Sequence, residues 1–361
     1  MSNFVRGLEL SEQFYLEAAK PILDTHFPHL GYSAALLGWS SEVLGYDDAE
    51  STDHNWGPRF QLFLSKQDYE NYKPLVSESL SQNLPLEFRG YPTNFDVSAQ
   101  GDQLSMEKIE VGSVRHKIDI LTIEGWLEWS FGYDLHREIE AADWLSFSEH
   151  KLLAFTSGKV FYDGLEKLES VRQKFSYYPQ DVWLYLLACQ WKKIADEETF
   201  IGRAGYVGDE LGSAIIAART VKNLMQLCFL MERKYAPYSK WFGTAFSRLK
   251  CSQELSPIFQ EVLVTTNWKE REAHLARGYE IIARLHNELQ ITEPMGEKVS
   301  KHGRPYLILH GNRFGEAIRR AITSEKIRRI EFFGGSVNQI VESDDEISDV
   351  RLCQKLETLY E

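Results

Sequence analysis

The sequence predicts an α+β protein in three parts: a mixed β-sheet with helices, then a helical domain, then a small α/β C-terminal region. Three observations predict it. Up to residue 125, short apolar runs bounded by Gly, Pro and Asp alternate with amphipathic helical periods. From 126 to about 289 the helical period dominates. After a Pro- and Gly-marked linker at 292–304, short strands and helices return. The expected boundaries are therefore 1–125, 126–291 and 292–361. A length of 361 residues fits two or three domains better than one.

Taken in order, 11–25 carries Phe14, Tyr15, Ala18, Ala19 and Ile22 at helical spacing behind a capping Ser11. Pro28 and Gly31 break it. Residues 33–37 form a short strand ending in a turn at Gly38. Residues 42–44 start a helix or a loop, and 46–53 is polar and acidic, a surface loop. The run 59–64 is the next strand, and 66–82 is a helix with Tyr69, Tyr72, Leu75, Val76 and Leu80 on one face. A strand at 86–90 and a polar loop at 91–103 follow. Residues 106–123 read as one or two strands, strongest at 117–123. In the helical part, 181–195, 209–234, 239–250 and about 267–289 are the clearest helices. The tail reads as strand 306–310, helix 313–323, strand-like 329–333, an acidic turn at 343–346 and a last helix at 349–360.

Bulk properties exclude some functions. A formal net charge of −13 argues against a nucleic acid held on a broad basic face, because such binding is dominated by Lys and Arg on phosphates. It leaves room for a local basic pocket. The four cysteines, Cys189, Cys228, Cys251 and Cys353, show no CxxC spacing and read as free thiols of a reducing compartment. No apolar run reaches the roughly 18 residues of a membrane span. Residues 1–10 hold no apolar leader core. A cytoplasmic protein without a membrane partner is expected.

The chemistry concentrates around two stretches. Gly38-Trp39-Ser40-Ser41 puts small hydroxylated residues in a turn after a strand. Asp53-His54-Asn55-Trp56-Gly57 puts an acid, and an amide two residues on, ahead of the 59–64 strand. Residues two apart on a strand share a face, so Asp53 and Asn55 are expected to share a metal. Asp119, inside an apolar run, would be costly to bury without a partner and is expected to point to the same side. Mg²⁺ takes oxygen ligands from one or two carboxylates, phosphates and water. Two such ions can clamp an in-line phosphoryl displacement. His54 should face the other way, and His116 is a weaker candidate base.

A small-residue turn, a gap of about a dozen residues, an acid-x-acid on a strand and a third acid on a later strand resemble the DNA polymerase β-like nucleotidyltransferase superfamily, in particular its kanamycin nucleotidyltransferase-like members. More closely, residues 41–48 (Ser41 to Asp48), 51–58 (Ser51 to Pro58) and 235–241 (Tyr235 to Trp241) are similar to the DUF4037 family of uncharacterised, nucleotidyltransferase-like bacterial proteins. The resemblance implies a nucleotidyltransferase-like sheet. It implies Mg²⁺ or Mn²⁺ on Asp53, Asn55 and Asp119, and transfer of a nucleoside monophosphate from a nucleoside triphosphate to an acceptor hydroxyl. Ser40 and Ser41 would then meet phosphate. The chain departs from the pattern where Ser40-Ser41 replaces Gly-Ser or Gly-Gly and where Asn55 replaces the second acid. The alternative is a catalytically impaired nucleotide-binding or regulatory protein on the same fold.

Three further residues join the expected nucleotide site. Tyr238 and Lys240 sit at a Pro-marked helix start, where free N–H groups favour an anion. Arg203 is either a phosphate ligand or a partner of Asp209 or Glu210. The acceptor is expected to be a small molecule or a protein, with nucleic acid disfavoured. Gly334-Gly335-Ser336 has no acid-x-acid strand after it and reads as structural.

Overall fold

The computed structural model describes residues 4–97, 103–301 and 305–360. Parts of the expected loop (98–102) and linker (302–304), and residues 1–3, lie outside the described residues. The fold is mixed α+β, a small sheet and many helices. Contacts divide the chain into two compact units: 1–138 with 150–176, and 139–149 with 177–361.

In the first unit four strands form one mixed sheet: β1 (Tyr32–Leu36), β2 (Arg59–Leu64), β3 (Lys117–Leu121) and β4 (Lys159–Asp163), in the order β3-β2-β1-β4. β1 runs antiparallel to β2 and β4, and β2 runs parallel to β3. Period-two alternation sorts the faces. Ala34, Phe60, Leu62, Leu64, Ile118 and Ile120 join a core with Leu10, Phe14, Tyr15, Val76 and Leu80 from the helices at 7–26 and Lys66–Asn83. β4 lies in the stretch expected to be helical. Gly158 (φ 73) turns the chain into it, packed so closely that a Cβ there would meet the Leu36 carbonyl at 2.0 Å. A local helical period could not register that partner, which lies more than a hundred residues upstream.

Other expected elements shift for identifiable reasons. The first helix starts at Gly7, not 11, and passes Pro21 through a π-helical turn at Tyr15–Ala19. A proline lacks the N–H for the regular ladder, and a π turn absorbs the mismatch. The strand expected at 86–90 is a two-residue piece, Glu87–Phe88, paired with Tyr91–Pro92 around Arg89 and Gly90, both at positive φ.

The second unit is helical. Its long helices are Gln180–Ala195, Glu210–Met231 and Trp268–Glu288, joined by Phe200–Tyr206, Ser239–Phe246 and Ser252–Val264. Glu210–Met231 is long and apolar enough to cross a membrane by length and composition, unlike anything expected from unbroken apolar runs. Of its most apolar window 56% is buried within the fold, with Thr220 and Asn223 among the buried residues. The tail joins this unit: helix Asn312–Ala321 lies on Gln180–Ala195, with the Trp191 and Phe314 rings stacked at 4.3 Å. Gly315 permits that approach, since a Cβ would sit 2.9 Å from the Ala188 carbonyl oxygen. Of the expected tail strands, only Leu307–Ile308 pairs, with Ser300–Lys301. The 329–333 stretch is not a strand. It follows the short helix Glu325–Arg328, and its Ile330 side chain is buried.

One buried acid organises the middle of this unit. The Glu149 carboxylate accepts hydrogen bonds from the Ala236 backbone N–H (3.0 Å) and from Gln226 Nε2 (2.8 Å). Its own N–H donates to Asn338 Oδ1 at 2.8 Å. Burial pushes its pKa up to about 7, against the two donors that hold the anion. The folded state therefore keeps a proton that the unfolded chain releases near pH 4.5. Stability from this group is full below that pH and is lost as pH rises through 7. We expect the difference in unfolding free energy between Glu149→Gln and the parent to move in favour of Glu149→Gln from pH 5 to 8, by up to about 3 kcal/mol. Urea unfolding at several pH values measures it; a difference independent of pH contradicts the assignment.

Candidate functional site

The turn after β1 is built by its neighbours on β2. Arg59 is 7% exposed, and its Nε donates to the Glu42 carboxylate at 2.9 Å. Its Nη2 donates to Glu42 as well and to Ser40 Oγ at 2.7 Å. Two residues on, the Gln61 amide clasps Leu37 from both sides: it accepts from Leu37 N–H (2.8 Å) and donates to the Leu37 carbonyl (3.2 Å). Gly38 (φ 120) then takes a conformation open to glycine, and its N–H donates to the Ala154 carbonyl. Ser40 lies just before the four-residue helix Ser41–Leu44 and Ser41 is its first residue, so the choice between helix and loop resolves as a single helical turn. Ser40 Oγ is engaged by the guanidinium, and Ser41 is half-buried.

Asp119 lies on the edge strand β3, directly beside Gln61, and is exposed between buried Ile118 and Ile120. It therefore escapes the cost of burial by facing solvent. Asp53 and Asn55 do not lie on a strand. Asp53 ends the 3₁₀ turn Ala49–Asp53, capped by Asp48, and Asn55 sits in the left-handed region at φ 49. The two-residue alternation argument therefore does not apply to them. It applies to Arg59 and Gln61, the residues two apart that occupy the start of β2. Asp53 is exposed, with Oδ2 2.9 Å from His54 Nδ1. That hydrogen bond holds the Asp53 carboxyl below its usual pKa. Among the described residues no three His, Cys, Asp or Glu side chains group closely enough for a metal.

His116 is not a free base. Its Nδ1 accepts from the Ile118 N–H at 3.2 Å, and its Nε2 lies 3.1 Å from the Ser77 carbonyl, a donor position. Burial lowers its pKa and keeps the ring neutral.

The other expected ligands belong to the second unit. The helix Ser239–Phe246 starts after Tyr238, but the Ser239 N–H donates to the Asp344 carboxylate (3.2 Å to Oδ2). That start already carries an anion from the chain itself. Lys240 is exposed, its Nζ 4.9 Å from the Trp241 ring centre. Arg203 is exposed beside Phe200 and pairs with neither expected acid. Asp209 caps the Gly212 N–H, and Glu210 bridges to Arg271. Gly335 and Ser336 lead into a capping box with Gln339, a structural turn.

Residues 144–242 match the model of DUF4037, a domain of unknown function. The matched segment includes 235–241 and lies C-terminal to the 41–58 stretch, whose similarity rests on the residues alone. Among solved structures, the chain is similar to a nucleotidyltransferase-like protein from Exiguobacterium sibiricum 255-15. The identity is 8%, covering 79% of this chain and 78% of that one, with a TM-score of 0.33. A likeness that loose transfers no residue roles. No functionally curated protein matches.

The residues missed in the sequence are Glu42, Arg59 and Gln61. The signal was present: a charged and an amide residue two apart at the head of an apolar strand, with an acid earlier in the turn. Removing one member of the buried pair strands the other charge. Glu42→Ala is expected to cost about 3–5 kcal/mol of stability. Joint replacement, Glu42→Leu with Arg59→Met, is expected to cost much less. Chemical denaturation of the three chains checks both; equal losses would contradict the pairing.

Proposed function

We propose that the first unit binds a nucleoside triphosphate along the Gly38–Ser41 turn and the open Asp119 edge, and that binding is its main output. The carrying observation is the β2–β3 register. Beside Asp119 stands Gln61, an amide already used on Leu37, where transfer with two metal ions needs carboxylates. The resemblance of 41–58 to nucleotidyltransferase-like sequences supports a nucleotide as ligand. One exposed carboxylate fits a single Mg²⁺ or Mn²⁺ shared with phosphate oxygens and water. Asp119 would hold it, and the ion would supply charge neutralisation.

The test is titration calorimetry with the four ribonucleoside triphosphates, in Mg²⁺ and in EDTA. We expect binding in both, with Asp119→Asn or EDTA weakening it by about ten-fold, roughly 1.4 kcal/mol. Absence of binding to any triphosphate overturns the reading, as does sustained Mg²⁺-dependent pyrophosphate release from the unaltered chain.

A second reading, transfer of a nucleoside monophosphate, is favoured by the exposed Asp53 carboxylate, held ionised by His54. In it the acceptor oxygen bonds to the α-phosphorus, pyrophosphate leaves, and the hydroxyl proton passes to solvent or a carboxylate. Asp53, Asn55 and Asp119 would then serve the metal, with Ser40 and Ser41 toward the nucleotide, all within the first unit. Asn55 tolerates replacement by Asp, because both residues accept left-handed backbone. This reading expects Asn55→Asp to raise pyrophosphate release by about ten-fold or more, the size of one recovered charged contact. An Asn55→Asp chain that releases no more than the parent counts against it.

A further inference from the structure

The turn that carries Ser40 also carries an exposed tryptophan. Trp39 is 39% exposed, and the ring of Trp129, 63% exposed, lies 5.7 Å from it at an interplanar angle of 42°. Both belong to the first unit. The chain path explains how they meet. β3 leaves the turn end of the sheet, because Lys117 pairs with Arg59 there and Leu121 pairs with Phe63 at the far end. The helix Ile123–Phe131 follows at once, and its last turn brings Trp129 to Trp39. The same strand and helix therefore carry Asp119 and Trp129.

The platform is held from behind. Trp126, one turn before Trp129, stacks on Phe155 at 4.7 Å and lies 6.4 Å from Trp129. The buried Lys151 donates from Nζ to the Ser130 carbonyl at 3.0 Å and lies 6.0 Å from the Trp39 ring centre. Two exposed indoles in mutual contact make a small apolar patch rather than two scattered surface residues. Exposed Gly125 and Glu128 lie on the same helix. Two rings among polar neighbours are too small for a stable protein interface, which needs about 1,000 Å² or more. They match one planar aromatic ring.

We propose that Trp39 and Trp129 form the stacking surface for the base of the nucleotide, a subsite at the Gly38–Ser41 turn that follows β1. The proposal rests on the triphosphate reading above and extends it to the base. Stacking tolerates any base, because each has a π face, so the subsite selects for a nucleobase without choosing among the four.

Titration calorimetry with ATP, ribose 5-triphosphate and adenosine tests it on the full chain, on Trp129→Ala, Trp129→Phe and Trp39→Ala. The unaltered chain is expected to bind ATP about ten-fold more tightly than ribose 5-triphosphate, an ordinary gain for one stacked base. Trp129→Ala is expected to remove that preference while leaving ribose 5-triphosphate affinity unchanged, and Trp129→Phe to retain most of it. Trp39→Ala is expected to reduce it. Equal affinity of the unaltered chain for the two triphosphates overturns the proposal, as does an equal loss for both in Trp129→Ala. If only adenosine binds, in a Trp129-dependent way, the subsite stands and the phosphate reading falls. If none of the three binds, both fall.

Discussion

The buried ion pair between Arg59 and Glu42 is the constraint on which the first unit depends. It joins the head of β2 to the helical turn after β1, and through Ser40 Oγ it fixes the intervening loop. A guanidinium taken from water must be matched by a carboxylate and by further acceptors, and both are supplied here. Gln61 does the same for the backbone of Leu37. Together they leave the Gly38–Ser41 turn with one shape. The consequence for chemistry is substitution: Arg59 and Gln61 of β2 are spent on the scaffold, and on the neighbouring strand β3 Asp119 is exposed.

The second unit repeats the theme with an acid alone. Glu149 holds its place through the Gln226 amide and the Ala236 backbone N–H. By gripping Ala236 it ties the start of the 144–242 segment to the Tyr235–Trp241 stretch near its end. Its raised pKa is the energetic cost of that tie. Glu198 follows the same pattern, accepting from the Leu309 and Gly311 N–H groups while burial pushes its pKa to about 7.

Much of this was legible in the residues, and the failures have physical causes. β1, β2 and β3 stand where apolar alternation placed them, because each is bounded by turn residues and buries at least one face. β4 was hidden because its pairing partner is distant, and a five-residue strand inside helical surroundings has little period of its own. The cost of burying an acid singled out Asp119, and its side chain is exposed. The placement of Asp53 and Asn55 was misjudged by extending β2 backward. Gly57 at φ 131, Asn55 at φ 49 and the cap on Asp48 all end extended structure before Arg59. Residues apart in sequence but paired in space, such as Trp39 with Trp129, carry no local period that could announce them.

β4 has a consequence for how the chain is made. The sheet closes only when 159–163 reaches β1, by which time 139–149, part of the other unit, has already left the ribosome. Synthesis proceeds from the N-terminus at about 5–20 residues per second. An incomplete sheet, with β1 lacking one neighbour, therefore waits for seconds with a bare edge. Such edges invite pairing with other chains. The discontinuous order of the two units thus makes the nascent chain, more than the finished protein, the state most exposed to misassembly.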